Sequence, residues 1–465
     1  MRNVIRPVLM LVAIALLAGG CGGREVRSLR AVDWQNGTVI LLRGDDAIVQ
    51  RIYDPDFVIV GGSLSGLTAA MAACASGWRT LLIEDTAQLA ACFADTNSYF
   101  ENRYIDITGS SIRVKQFRDY IRGWYRKYGG EQLVVESDIF SRFADFGSAG
   151  FCFGTDAALA AVDSILSVYQ DRGRLTVLTR HEVAEVITFK GRVTSVNVID
   201  LDEHIAHQVR GWMYVDATET GELLPLAGFD FAIGSDPADS AAAYDVFFYE
   251  DTLAGSADST AIVPLLDERP VTEGRVETVV RAREPRRLRA IKNVTADDIA
   301  VASQPGPRAA FFDDSVGIGY SPMVVFPSPR GEAEVIETRP FQIPLSAMVP
   351  PECSNFLAGG ASIGTTYPAS SAYTAPSVLM AIGESAGVVM EYCAADKVSI
   401  HDILADKTLL RSLQEQLVGK RGIPIYWYDN IMPGEGEFPE AQMKPFEDPE
   451  FRDNQDSLSY NVVTP

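Results

Sequence analysis

Residues 56–84, DFVIVGGSLSGLTAAMAACASGWRTLLIE, leave this chain few ways to fold. Phe57 to Val60 is a short apolar run of the kind buried on both faces of a parallel sheet. A glycine-bearing turn, an alanine-rich stretch from Leu64 to Ser76, Gly77 and a second apolar run from Thr80 to Ile83 follow. The order predicts strand, turn, helix and strand, the front half of a dinucleotide-binding unit. Gly61 lets the chain turn tightly, and Gly66 lets the helix lie close to the strand. Ser63 stands where a middle glycine normally lets a pyrophosphate approach the backbone, and its hydroxyl offers a bond to a phosphate oxygen. The first amides of the helix point at the turn, where the dipole favours phosphate. Glu84 follows Gly61 by 23 residues, near the spacing of about 20 expected of a ribose-binding acid. A carboxylate there accepts hydrogen bonds from a ribose and repels a 2′-phosphate. Alone, this unit is compatible with either NAD or FAD.

The beginning of the chain carries an address. Arg2 and Arg6 precede an apolar run from Val8 to Leu17, and Ala18, Gly19 and Gly20 lead into Cys21. The run is too short to span a bilayer comfortably and reads as an export signal over residues 1–20. The small residues before Cys21 resemble a bacterial lipobox, with Ala18 where leucine is usual. The expectation is cleavage before Cys21, lipidation of that residue and an exported, membrane-anchored protein on the periplasmic or cell-surface side. Cys74, Cys92, Cys152, Cys353 and Cys393 show no close-pair metal spacing, and Cys74 reads as a packing residue of the first helix.

Several function classes are disfavoured. A formal charge of −22 opposes nucleic-acid binding. Two basic runs, Arg113 to Lys127 and Arg281 to Lys292, read as solvated helix faces. Among four histidines, His204 and His207 have a spacing that could serve a metal, but no ligand-rich context surrounds them, and no metal is expected. No Gly-x-Ser-x-Gly elbow supports a serine–histidine triad. The acidic, proline-bearing stretch from Pro433 to Pro449 reads as an extended surface tail. Alternation over residues 175–200, on both sides of Lys190-Gly191, predicts a β-hairpin.

Three further blocks occur in order. Tyr214 and Val215 lead into Asp216-Ala217-Thr218-Glu219-Thr220-Gly221-Glu222-Leu223. Arg283 to Leu288 reads REPRRL. Ile343 to Gly387 contains a short strand at Asn355 to Ala358, then Gly359 and Gly360, and a helix opened by Pro376. Together with the first unit, these blocks resemble a bacterial family of FAD-dependent oxidoreductases with a glutathione-reductase-like fold, over most of residues 53–430. The resemblance implies an α/β protein with a Rossmann-like, three-layer FAD-binding domain on a parallel sheet and a second, mixed α/β substrate domain. It implies FAD held by Gly61, Gly62, Ser63, Ser65, Gly66 and Glu84 in the first unit and by a backbone contact near Val183. Ala217, Thr218, Gly221, Gly359, Gly360, Ser377 and Val378 complete the cradle. The hairpin becomes the small sheet on the adenine side. The helix from Ser377 to Gly387 aims its positive end at the pyrimidine side of the flavin, and Tyr320 falls near the pocket.

The implied organisation is a signal peptide at 1–20 and a lipidated segment and linker at 21–52. The first part of the FAD domain spans 53–230, a substrate-facing domain 231–335 and the closing FAD segment 336–395. A C-terminal helix and acidic tail occupy 396–465. The implied activity is hydride transfer from a small organic substrate to flavin, with a separate electron acceptor and no catalytic residue assigned. The chain departs from the family in places. Leu89, Ala90, Ala91 and Cys92 stand where Gly-Gly is common, Gly360 where an arginine often follows, and Ser321, Pro322 and Met323 where polar residues follow the tyrosine. These departures leave a catalytically degenerate binding module as an alternative. An NAD-linked dehydrogenase is another, though it has no use for the later blocks.

Overall fold

The computed structural model describes residues 28–90, 98–100, 112–128, 151–153, 155–233, 286–306, 308–325, 334–427, 437–449 and 452. Five parallel strands form the main sheet in the order β19 (Phe356–Ala358), β12 (Met213–Asp216), β4 (Phe57–Val60), β5 (Thr80–Ile83) and β8 (Leu175–Leu178). Every residue of β4, β5, β12 and β19 is buried. This is why these segments read as continuous apolar runs and not as alternating ones.

Helix α1 (Leu64–Ala75) covers one face. Outside it lie α2 (Ile112–Tyr128) and α3 (Thr155–Gln170), with Val114, Phe117, Ile121 and Tyr125 turned inward at helical spacing. The other face carries an antiparallel and parallel mixture of four strands, β3 (Val49–Tyr53), β11 (Ile205–Val209), β10 (Val193–Asp200) and β9 (His181–Thr188). Its valines 183, 186, 193, 196, 198 and 209 join Val58, Val60, Leu81, Ile83 and Tyr214 of the main sheet in one core. Helices, parallel sheet and small sheet are therefore three layers, the α/β architecture expected. The predicted hairpin is β9–β10, turning at Lys190 and Gly191 with φ of 49° and 70°. Residues 175–178 are not part of it; they form the edge of the main sheet.

The chain before β3 is not a linker where it is described. β1 (Ser28–Asp33) and β2 (Thr38–Arg43) pair as a hairpin. Leu29, Ala31, Ile40 and Leu42 pack on Ile199, Leu201 and Ala206 at the outer face of the small sheet. Arg180 pins the hairpin through two bonds to the buried Asp33 carboxylate, at 2.8 and 2.5 Å. The signal segment and Cys21 lie outside the described residues.

The remaining strands pair locally: β6 (Ser98–Phe100) with β7 (Phe151–Phe153), β13 (Phe231–Ala232) with β14 (Arg287–Leu288), β15 (Ser315–Gly319) with β18 (Phe341–Pro344), and β16 (Met323–Val325) with β17 (Glu334–Ile336). Short helices α4 (Leu223–Ala227), α5 (Ala296–Ile299) and α6 (Tyr367–Tyr373) connect them to the closing helix α7 (Pro376–Asp396). Among the described residues α7 is the helix long and apolar enough to cross a membrane, but it is buried in the core. Arg286 and Arg287 are fully buried, so the expectation of a solvated basic face fails there. Their guanidinium groups lie over the rings of Phe231 and Tyr367. After α8 (Ile400–Ala405) and α9 (Lys407–Glu415), α10 (Glu437–Glu447) replaces much of the extended tail expected at 433–449. Buried Gln442 accepts from the amides of Ile425 and Tyr426 at 2.8 Å each, while Met443 and Phe446 bury their side chains.

Candidate cofactor site

The predicted site residues converge at the carboxyl ends of β4, β5, β12 and β19. Gly61 leaves β4 with a φ of 101°, a conformation that disfavours any side chain. A β-carbon there would overlap the backbone of Ala217 and Thr218, and one on Gly66 would overlap the Gly61 carbonyl. Ala217 donates its N–H to Val60 at 2.7 Å, and Gly359 donates to Asp216 at 2.8 Å. The turns after β4, β12 and β19 are thus fastened edge to edge. Asp216 is fully buried and holds its turn by accepting from Thr218 N, Thr218 Oγ1 and Leu223 N. Burial pushes its carboxyl up to about 6 against those bonds. Gly221 closes the turn at φ 66°, against Ser362 and Arg286.

Ser63 caps α1, accepting from Gly66 N at 3.4 Å. Its hydroxyl proton goes to the Ala217 carbonyl, at 2.6 Å. The hydroxyl expected to donate to a phosphate is therefore committed to the protein, and the Leu64 and Ser65 amides of the first helical turn remain as candidate phosphate donors. Glu84 sits at the end of β5. Its Oε2 accepts from Gly62 N at 2.6 Å, and its Oε1 from Thr86 N and Oγ1 at 2.9 and 2.5 Å. Burial pushes Glu84 up to about 8 and the neighbouring Asp85 adds to the rise, while the Thr86 and Gly62 bonds oppose it.

The crossing chain that follows answers for the missing Gly-Gly. Ala90 takes φ 52°, the left-handed conformation a glycine adopts freely, and its N–H donates to Gly62 O at 2.7 Å. Leu89 lies over Gly62. Ala91 and Cys92 lie outside the described residues. Val183 is on β9, whose first residue, His181, donates its amide to Glu84 O at 2.9 Å, so the small sheet abuts the end of β5 at Glu84.

The closing helix is bound to the first by near backbone contact. Gly383 and Gly387 face α1, and Thr68 Oγ1 donates to Met380 O at 2.8 Å. Ser377 and Val378 are buried at the start of α7, where no side chain caps the helix. Gly319, at the end of β15, touches Val378, which places Tyr320 one residue from that helix start. Tyr320 is half-buried, edge-on to Trp427 at 6.4 Å. Sequence reasoning missed the backbone crossing, although the four-residue spacing of Gly383 and Gly387 signals it.

A model of the family described as FAD dependent oxidoreductase matches residues 56–261 and 246–417. The chain belongs to this FAD dependent oxidoreductase family. FAD is its cofactor. No curated protein matches the chain. Among solved structures it is similar to a myxobacterial FAD-dependent chondrochloren halogenase, at 20% identity over 36% of this chain and 37% of that one, with a TM-score of 0.24. It is also similar to a glycerol-3-phosphate dehydrogenase from Bacillus halodurans complexed with FAD, at 19% identity, 36% and 34% coverage and a TM-score of 0.23. The chain thus spans about a third of the length of those proteins.

The residues present fit FAD. Glu84, at the end of β5, would take a ribose, the Leu64 and Ser65 amides of α1 the pyrophosphate, and the uncapped α7 terminus the anionic side of a flavin ring. Gly360 fits as well, for a different reason: a β-carbon there would stand 2.6 Å from Ser65 Oγ. The arginine common at this place has no room while Ser65 keeps its position. Cys74, Cys353 and Cys393 are free and buried, which pushes the Cys74 thiol up to about 11 and agrees with a packing role.

Proposed function

We propose that the chain is an exported, lipid-anchored flavoenzyme that transfers a hydride from a C–H bond of a small organic substrate to FAD. Bound FAD supplies the two-electron chemistry and passes the electrons to a separate acceptor. The observation that supports this most is the start of α7. Pro376 opens the helix, no side chain caps it, and Ser377 and Val378 bury its first turn. Pro376 carries no N–H and the Val378 and Leu379 amides donate to Ala375 O at 2.9 Å each, so the Ser377 amide and the helix dipole are left to stabilise negative charge developing next to them, with little water to compete. The turns at Gly61, Ala217 and Gly359 orient the cofactor, and no side chain is assigned as an obligate base. Arg2, Arg6, the apolar run and Cys21 support the anchor.

The test is the visible spectrum of the detergent-solubilised full chain. Flavin bands that bleach with a suitable donor and return with an acceptor support the reading; a colourless protein that takes up no added FAD sinks it. Cys21→Ser releases the protein from the membrane fraction, and persistent lipid labelling of that variant refutes the anchor. A second reading, a flavin-loaded module without turnover, draws on Gly360, which puts no positive side chain at this place. Flavin that is bound yet reducible by no donor favours it.

A further inference from the structure

The small sheet carries a separate cluster of chemistry-bearing side chains. On β9 and β10, His181 pairs directly with Asp200; on β11, His207 lies opposite Val198. Side chains alternate along a strand, so Asp200 and Val198 share a face. His181, Asp200 and His207 therefore stand together on one face of three adjacent strands. One ring nitrogen from each histidine and one carboxylate oxygen lie within 4.8 Å of one another. The two imidazoles stack at 5.7 Å, 23° from parallel, and His181 Nε2 is 3.7 Å from Asp200 Oδ2.

Each group is already oriented. His181 Nδ1 lies 2.7 Å from the Thr179 carbonyl, which only accepts, so Nδ1 carries the proton and Nε2 offers a lone pair. Asp200 Oδ1 accepts from the amides of Asp202 and Glu203 at 2.9 Å each, leaving Oδ2 towards the histidines. His207 is 6% exposed, and its Nδ1 is buried with no hydrogen-bond partner. Leaving such a group unsatisfied costs about 1–3 kcal/mol. Burial, then the His181 ring, holds the His207 pKa below its ordinary value. Arg51 also lowers it, whereas Asp200 and Glu203 act in the other direction. Arg51, the strand partner of His207, lies over the Tyr53 ring at 4.4 Å. The Tyr53 ring in turn meets His207 edge-on at 5.8 Å.

We propose that His181, Asp200 and His207 bind one divalent transition cation of the zinc type, with water completing a tetrahedral set. Two imidazoles and a carboxylate suit zinc, cobalt or copper better than magnesium or calcium, which prefer all-oxygen sites. Metal–ligand bonds of about 2.0–2.1 Å bring tetrahedral ligands to roughly 3.3 Å of one another, so the three groups draw together from their present spacing when the ion binds. The ion staples β9, β10 and β11 together. Because the His181 amide donates to Glu84 O at 2.9 Å, it also steadies the strand that meets the ribose-binding acid. The proposal stands independently of any turnover by the flavin.

The test titrates the untagged, chelator-stripped full chain with Zn²⁺ against a chromogenic competitor, and with Co²⁺ by visible absorption. One equivalent binds, and Co²⁺ shows intense tetrahedral bands. His207→Gln and Asp200→Asn each weaken binding by about 10- to 100-fold or more, while His204→Gln, in an exposed turn, leaves it unchanged. Circular dichroism and flavin content report folding, and the near-isosteric Asp200→Asn keeps the test valid if His207→Gln does not fold. Absence of saturable binding, or equal binding in both ligand variants, overturns the proposal.

Discussion

Gly383→Ala is the sharpest probe of the cofactor cradle. The α1–α7 crossing is so close that a β-carbon at 383 would overlap the Ser65 carbonyl oxygen, 2.6 Å from its carbon and 2.5 Å from Thr68 Oγ1. Ordinary contacts are roughly 3.5–4.0 Å, so the helices must part by about 1–1.5 Å. The tightest clash is with the Ser65 backbone carbonyl, which no side-chain rotation relieves, and this puts the cost at the upper end of the ~1–3 kcal/mol typical of overpacking. The strain falls on Ser65, inside the first turn of α1, where the amides that would hold the pyrophosphate are fixed. If about 2–3 kcal/mol of it must be overcome to restore binding geometry, FAD affinity falls roughly 30- to 150-fold. The assay is fluorescence titration of flavin-stripped protein with FAD, together with thermal unfolding. Gly123→Ala is the control, because Gly123 lies within α2 and a β-carbon there meets nothing within 4 Å. That change should stabilise by about 0.5–1 kcal/mol and leave FAD binding alone. Wild-type FAD affinity and melting temperature in Gly383→Ala would refute the reasoning.

Other outcomes follow from the same geometry. The Arg180 bonds hold Asp33 at about 2, below its ordinary 3.8. Its contribution of about 2 kcal/mol is complete above pH 4 and lost as pH falls through about 2; acid unfolding of Arg180→Ala should lack that component. Glu84 is shifted the other way, from 4.5 to about 8. Flavin-free protein therefore binds an extra proton when folded and loses stability as pH rises across that window, a slope that Glu84→Gln removes in denaturant titrations at several pH values. Ala90→Gly relieves the left-handed alanine and should stabilise by up to about 1 kcal/mol with flavin content unchanged; a loss of stability would show that the Ala90 conformation carries no strain.

Sequence disclosed the parts of the site in which one segment does one job. The run from Phe57 to Glu84 is legible because apolar strands, small helix residues and a terminal acid are all local signals. The closing helix is legible for the same reason, since Pro376 fixes its start and glycines dot its length. What sequence did not disclose depends on distant partners. Arg286 and Arg287 belong to a charged run that looks solvated, yet aromatic rings and backbone carbonyls enclose them. Ala90 shows nothing unusual until its φ is known. His181 and His207 look isolated because Asp200, which joins them, sits on the intervening strand. The hairpin at 28–43 and the helix at 437–447 are short, polar-rich elements stabilised by the surfaces they cover.

The order of strands in the main sheet has a consequence for how the protein comes into being. β4 is central, yet its neighbour β12 and the outer β19 come from far later in the chain. A ribosome that has delivered the whole first unit has delivered one wall of the cradle; the glycines that seat α1 arrive only with residues 383 and 387. On this topology FAD should find no complete site on a growing chain and should load after synthesis. Long loops must close before any of its contacts form, a topology that folds slowly. Once bound only by the finished structure, the cofactor shifts the balance towards that structure by mass action, so flavin supply should govern the yield of folded protein as well as its colour.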